Sequence, residues 1–153
     1  MKEVNNAISF HYRVKSAKEF QKNLKYALEL LKQKGKEVPN IYSYHISGDM
    51  PTFMRKSILD EFISKEKSIV TNARCLTEGV DVPNIDGVYF VDPKKNLIDI
   101  VQATGRAIRK KSHTKYGYII IPIFVKKDEN IEEIVTTTAF EPVWRIIQAM
   151  KDQ

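Results

Sequence analysis

Five short apolar, β-prone runs recur along this chain, and helical patterns or polar turns separate them. They are Ala7 to Phe10, Ile41 to Ile46, Ser68 to Thr71, Gly87 to Val91 and Tyr118 to Phe124. Each is close to a solid apolar run rather than an alternation of apolar and polar residues. Such strands are buried on both faces. Strands that alternate with helices build right-handed crossover units and a sheet covered on both sides. The expected fold is therefore α/β: three layers, a mainly parallel sheet and helices on both faces. Open sheets of this kind gather ligands at the carboxyl ends of their strands. That rule places the polar turns after Phe10, Ile46, Thr71 and Val91 on the functional edge.

The helices have their own signals. Ser16-Ala17-Lys18-Glu19 has the spacing of a capping box. Ala17, Phe20, Leu24, Leu28 and Leu31 then recur at helical spacing, and Gly35 supplies a stop. Lys18, Lys22, Lys25 and Lys32 fall on the face opposite these residues. A second helix is expected from about Pro51 to Ser64, with Pro51 as an early helical residue. Met54, Ile58, Leu59 and Phe62 would face inward. Asn96 can cap a third helix, with Asp99 in its first turn. An acidic loop from Asp128 to Glu133 precedes a last amphipathic segment carrying Val143, Trp144, Ile147 and Met150.

The 153 residues fit one domain spanning 1–153, with a core over about 7–124 and a C-terminal extension over 125–153. A single cysteine, Cys75, excludes an internal disulfide. No apolar run reaches the ~20 residues of a membrane span. The first residues lack the apolar centre of a signal peptide. A cytoplasmic protein without a membrane partner is expected. The net charge is +6, and its distribution is uneven. Residues 1–36 hold nine Lys/Arg against three Asp/Glu, and the remainder holds sixteen of each. Such a basic segment attracts nucleic acid, although a solvated helix face gives the same composition.

Two segments carry chemistry. In Gln102-Ala103-Thr104-Gly105-Arg106-Ala107-Ile108-Arg109, spacings of four and three put Gln102, Arg106 and Arg109 on one helical stripe. Gly105 lies beside that stripe and removes bulk. Two guanidinium forks suit phosphate; a solvated, dipole-favoured helix end is the plainer alternative. The second segment, Thr71 to Pro83, leaves a buried strand and contains Gly79-Val80-Asp81. A small polar residue at a strand end can bond a phosphate, and a carboxylate past a glycine turn can accept bonds from ribose hydroxyls. Asp81 could equally cap its own turn. Asp81, Asp92 and Lys94 also have a spacing that could hold magnesium in a nuclease, but Pro93 interrupts the strand that would present them. His11, His45 and His113 show no ligand spacing. Phe140 and Trp144 read as core.

In these segments the chain resembles the second RecA-like domain of superfamily-two helicases, with a flavour of restriction-type DNA translocases. Tyr44 to Asp49 with Arg55 and Phe62, Thr71 to Pro83, and Gln102 to Arg109 are similar to three of the family's motifs in the right order. Ala7 to Lys18 fits a fourth loosely. Phe140 to Arg145 is similar to the tail that follows this domain in restriction-type helicases. The resemblance implies that Arg109, Arg106 and Gln102 act on ATP, with Arg109 as the arginine finger. It implies that Gly79, Asp81 and Gly105 border the nucleotide. It also implies that Thr71, Asn72, Ser47 and Gly48 touch the nucleic-acid backbone. Gln102-Ala103 stands where the RNA-directed DEAD-box branch has His-Arg, which favours DNA over RNA. No G-x-x-x-x-G-K-[ST] phosphate loop occurs in the sequence. ATP and Mg2+ are thus expected to be held mainly by an N-terminal RecA-like lobe of a longer protein. The isolated chain is expected to be inactive. A non-catalytic nucleic-acid-binding module is the other reading.

Overall fold

The computed structural model describes residues 4–73, 85–92, 105 and 117–151. Five parallel strands form one sheet: β1 (Asn6–His11), β2 (Tyr42–Ser47), β3 (Ser68–Ala73), β4 (Gly87–Phe90) and β5 (Tyr118–Ile120). Their order across the sheet is β2-β3-β1-β4-β5. Helix α1 (Val14–Gln33) carries the chain from β1 to the edge strand β2, and α2 (Thr52–Ser64) returns it to β3 in the gap between them. The two crossovers run in opposite directions across the sheet, so right-handedness places α1 and α2 on opposite faces. Two further helices, α3 (Ile131–Thr137) and α4 (Glu141–Lys151), follow β5.

Strand periodicity assigns residues to the two faces. Ile8, Phe10, Ile46, Val70, Val88 and Phe90 form the main core with Leu59 and Phe62 of α2 and Val143 of α4. Phe10 and Phe90 stack at 5.8 Å between ring centroids. Phe140, Ile146 and Ile147 pack against this core, as the apolar spacing of the last segment implies. The other face lies under α1 through Ala17, which is fully buried, and through the partly buried Phe20, Leu24 and Leu28. Among the described residues no helix is long and apolar enough to cross a membrane.

Several local readings change. Helix α1 begins at Val14, with Arg13 at the cap position and no side-chain cap bond. Ser16 is therefore inside the helix. Its hydroxyl bonds Asp92 of a distant strand end at 3.0 Å instead of closing a capping box. Pro51 occupies the cap position of α2 rather than a helical one, and Met54 is largely exposed. Strand β5 stops at Ile120, short of Phe124, which is fully exposed. Pro122, with no N–H to offer a neighbouring strand, lies just beyond that end. Glu132 and Glu133 belong to the first turn of α3, where Asn130 accepts the Glu132 N–H at 2.9 Å. Acidic residues there complement the helix dipole. Gly35 is at φ 71°, with Lys36 N–H bonded to Leu31 O and Gly35 N–H to Lys32 O. This is the left-handed stop that its position in the sequence predicts.

Candidate nucleotide and nucleic-acid interface

The carboxyl ends of the strands carry a concentration of buried polar side chains under α1. Register pairs His45 with Thr71, Thr71 with Ser9, and Ser9 with Tyr89. These four residues make a polar row across β2, β3, β1 and β4. Thr71 donates its hydroxyl to the Tyr44 carbonyl at 3.3 Å, and its oxygen lies 2.9 Å from His45 Nδ1. That arrangement fits a proton on His45 Nδ1, which leaves Nε2 as an acceptor. Two positions further along β1, His11 Nε2 lies 3.0 Å from the Ser9 hydroxyl. The His11 ring packs on Phe20 at 5.1 Å.

Burial lowers the pKa of both imidazoles, because the charged form loses hydration. For His11 the nearby Asp92 carboxylate opposes the shift, and His45 adds to it. For His45 the second cause is the Lys18 ammonium on α1. Both rings are therefore neutral near pH 7. Among the described residues, His11 Nδ1 and His45 Nε2 are buried without a hydrogen-bond partner. No signal along the sequence marks these histidines. Only the parallel register brings them to one end of the same face.

Asp92, at the exit of β4, has a structural task. Its Oδ2 accepts the Tyr12 N–H at 2.7 Å and the Ser16 hydroxyl at 3.0 Å, and it lies 4.0 Å from His11 Nδ1. The first turn of α1 has no acidic residue of its own. Asp92 supplies that charge from another strand, where the helix dipole favours it. This engagement accounts for Asp92 without a metal ion. The other two members of the nuclease spacing, Asp81 and Lys94, lie outside the described residues.

The residues expected to meet nucleic acid divide sharply. Thr71 is fully buried, with its hydroxyl held by His45 and Tyr44. Asn72 is also buried, on the opposite face beside Ile46 and Phe10. Ser47 is buried at the tip of β2. Gly48 is exposed in the turn that follows, where Met50 N–H bonds Ser47 O at 3.2 Å. Gly105 is helical and exposed, and a Cβ built on it would meet none of the described residues within 4 Å. Gln102, Arg106, Arg109, Gly79 and Asp81 lie outside the described residues.

Residues 1–111 match the family described as the helicase conserved C-terminal domain. The chain belongs to this family. It is 32% identical to the ATP-dependent type ISP restriction-modification enzyme LlaBIII bound to DNA, with a TM-score of 0.77 over 99% of this chain and 10% of that one. A helicase-named protein of African swine fever virus is 28% identical over 110 residues, 71% of this chain and 13% of the viral protein. The second domain of the DEAD-box helicase Mss116p bound to an RNA duplex has the same fold at 20% identity, with a TM-score of 0.52 over 76% of this chain and 41% of that one. The parallel sheet flanked by helices is thus the RecA-like fold of helicase C-terminal domains. The chain spans about a tenth of the length of the restriction enzyme and little more of the viral protein.

Proposed function

We propose that this chain is the second motor lobe of an ATP-dependent DNA helicase or translocase. In this reading Arg109 and Arg106 reach ATP and Mg2+ held mainly by an N-terminal RecA-like lobe. Arg109 is the finger that stabilises the charge developing on the transferred phosphoryl group, and Gln102 senses the nucleotide. Bound ATP supplies the phosphoanhydride whose cleavage drives movement. Gly79 and Asp81 border its ribose. The turn at Ser47-Gly48 offers backbone groups to the nucleic-acid strand. Thr71, with the backbone at Asn72, borders the same nucleic-acid path at the strand ends.

The observation that carries this reading is the match of residues 1–111 to the helicase conserved C-terminal domain, and Gly105 agrees with it. A glycine inside a helix costs about 1 kcal/mol relative to alanine. Among the described residues, none comes within 4 Å of a Cβ built on Gly105. The glycine lies beside a stripe whose arginines suit polyphosphate. DNA is favoured over RNA by Gln102-Ala103 and by the likeness to a DNA-bound restriction enzyme over nearly the whole chain.

The deciding experiment is Arg109→Ala in the full-length protein. Nucleic-acid-stimulated ATP turnover should fall by about 10³-fold or more, while binding of a fluorescent ATP analogue is retained. Turnover within tenfold of the parent would reject the finger assignment.

A further inference from the structure

Helix α1 carries a one-sided basic stripe. At 100° per residue, Lys15, Lys18, Lys22 and Lys25 fall within an arc of about 80°. The stripe lies on the solvent side of α1, turned by about 45° from the direction opposite the buried face. That turn is toward β2. Two contacts fix that direction: Gln21 Nε2 donates to the Ser43 carbonyl of β2 at 2.8 Å, and Lys18 is close enough to His45 of β2 to lower its pKa. The other flank presents Asn23, Tyr26 and Leu30, without a lysine.

The stripe is open, with Glu29 inside the same arc one turn past Lys25 and Glu19 beside Lys15. Lys15, Lys18, Lys22 and Lys25 are all exposed. Lys15 has Glu19 at 4.0 Å, and among the described residues no carboxylate pairs with Lys18, Lys22 or Lys25. Val14, Lys15, Lys18, Glu19 and Lys22 line a shallow open trough. The stripe starts at the carboxyl ends of the strands, beside the polar row of Ser9, Thr71 and His45. From there it runs down the edge-strand side of the sheet.

We propose that this flank is a second nucleic-acid contact, which holds the phosphodiester backbone of one strand as it leaves the strand tips. From Lys15 to Lys25 the helix rises about 15 Å, long enough to lie along more than one phosphate of a strand. Lysine heads on flexible stems meet such a row as point charges and read no base. The contact would therefore add affinity and processive hold without sequence preference. It rests on the motor-lobe reading but uses none of that reading's site residues.

The test is the salt dependence of single-stranded oligonucleotide binding by the 153-residue chain. The triple variant Lys18→Gln, Lys22→Gln, Lys25→Gln should lower the slope of log K against log salt by about 2, at ~0.7 per lost phosphate contact on a single strand. The control triple variant Lys36→Gln, Lys126→Gln, Lys127→Gln removes the same charge elsewhere and should keep the parent slope. All six lysines are exposed, and matching denaturation midpoints confirm that the variants fold. An unchanged slope in the stripe variant overturns the proposal and leaves the motor-lobe reading standing. Equal loss in the control overturns it in favour of a general positive field. Loss of poly-glutamate binding with oligonucleotide binding intact overturns it in favour of an acidic protein partner. A parent chain with no salt-dependent nucleic-acid binding overturns this proposal and leaves the motor-lobe reading to the Arg109→Ala test.

Discussion

The two ends of the parallel sheet both bury polar side chains and treat them differently. At the amino end, Asn6, Ser68 and Asp86 form a closed network. Asp86, almost fully buried, accepts the Asn5 N–H at 2.9 Å through Oδ2 and the Asn6 N–H at 2.8 Å through Oδ1. Asn6 Nδ2 donates to Ser68 Oγ at 2.8 Å and Lys65 O at 3.1 Å, and Ser68 donates to Phe62 O at 2.8 Å. At the carboxyl end, His11 and His45 each keep a buried ring nitrogen without a hydrogen bond among the described residues. The Ser43 hydroxyl, lower on β2, is a similar exception. A closed polar network fixes structure, whereas buried polar groups left open ask for an explanation. In this sheet the open ring nitrogens fall at the end where parallel sheets meet ligands.

Mutation can erase this difference. The largest effect is expected from Asp86→Ala, which strands the Asn5 and Asn6 amides inside the protein. Chemical denaturation should show a loss of about 3 kcal/mol, with nucleic-acid affinity per folded molecule unchanged. A loss below about 1 kcal/mol, the net worth of one ordinary hydrogen bond, would show that the amino end is not the rigid one. A smaller effect is expected from Asp92→Ala at the other end. Its carboxylate is a third exposed and serves one N–H and one hydroxyl. The cost should be about 1 kcal/mol, again read by denaturation, with Ser16→Ala adding little once Asp92 is gone.

The smallest effect is a pH slope. Both histidines have folded pKa values below the ordinary 6.5. The unfolded chain therefore binds more protons than the folded one as pH falls below about 6.5, and stability falls with it. The histidine contribution is fully present above that value. At pH 6 the unfolded pKa limits the loss to about 0.8 kcal/mol per ring. Denaturation midpoints at pH 7 and 6 should differ for the parent and differ less for the double variant His11→Gln, His45→Gln. An equal difference in both would show that these rings do not control the slope.

Much of this molecule is legible in short stretches of its sequence. Apolar runs at Ala7 to Phe10 and Ser68 to Thr71 announce buried strands, and Gly35 marks a helix end, because both signals are local. The capping box at Ser16 misleads for a specific reason. Another partner, Asp92, lies 76 positions away in the sequence and takes the hydroxyl. Thr71 is similar. Its place in a motif suggests a role at the nucleic acid, and only strand periodicity and register show that its hydroxyl meets His45. Gly87 reads as a plain strand opener. Only packing shows why a side chain is excluded there: a Cβ would lie 2.5 Å from Val4 Cγ1.

The parallel α/β architecture and the supply of lysine to one helix are written in the order of residues alone, because periodicity and charge are properties of near neighbours. The glutamine-arginine motif is written there too. Folding in three dimensions settles which lysines face the β2 edge, which histidines share a buried row, and which aspartate serves which end of the sheet. Those pairings depend on the strand order β2-β3-β1-β4-β5, which joins residues far apart along the chain. No local signal encodes such an order.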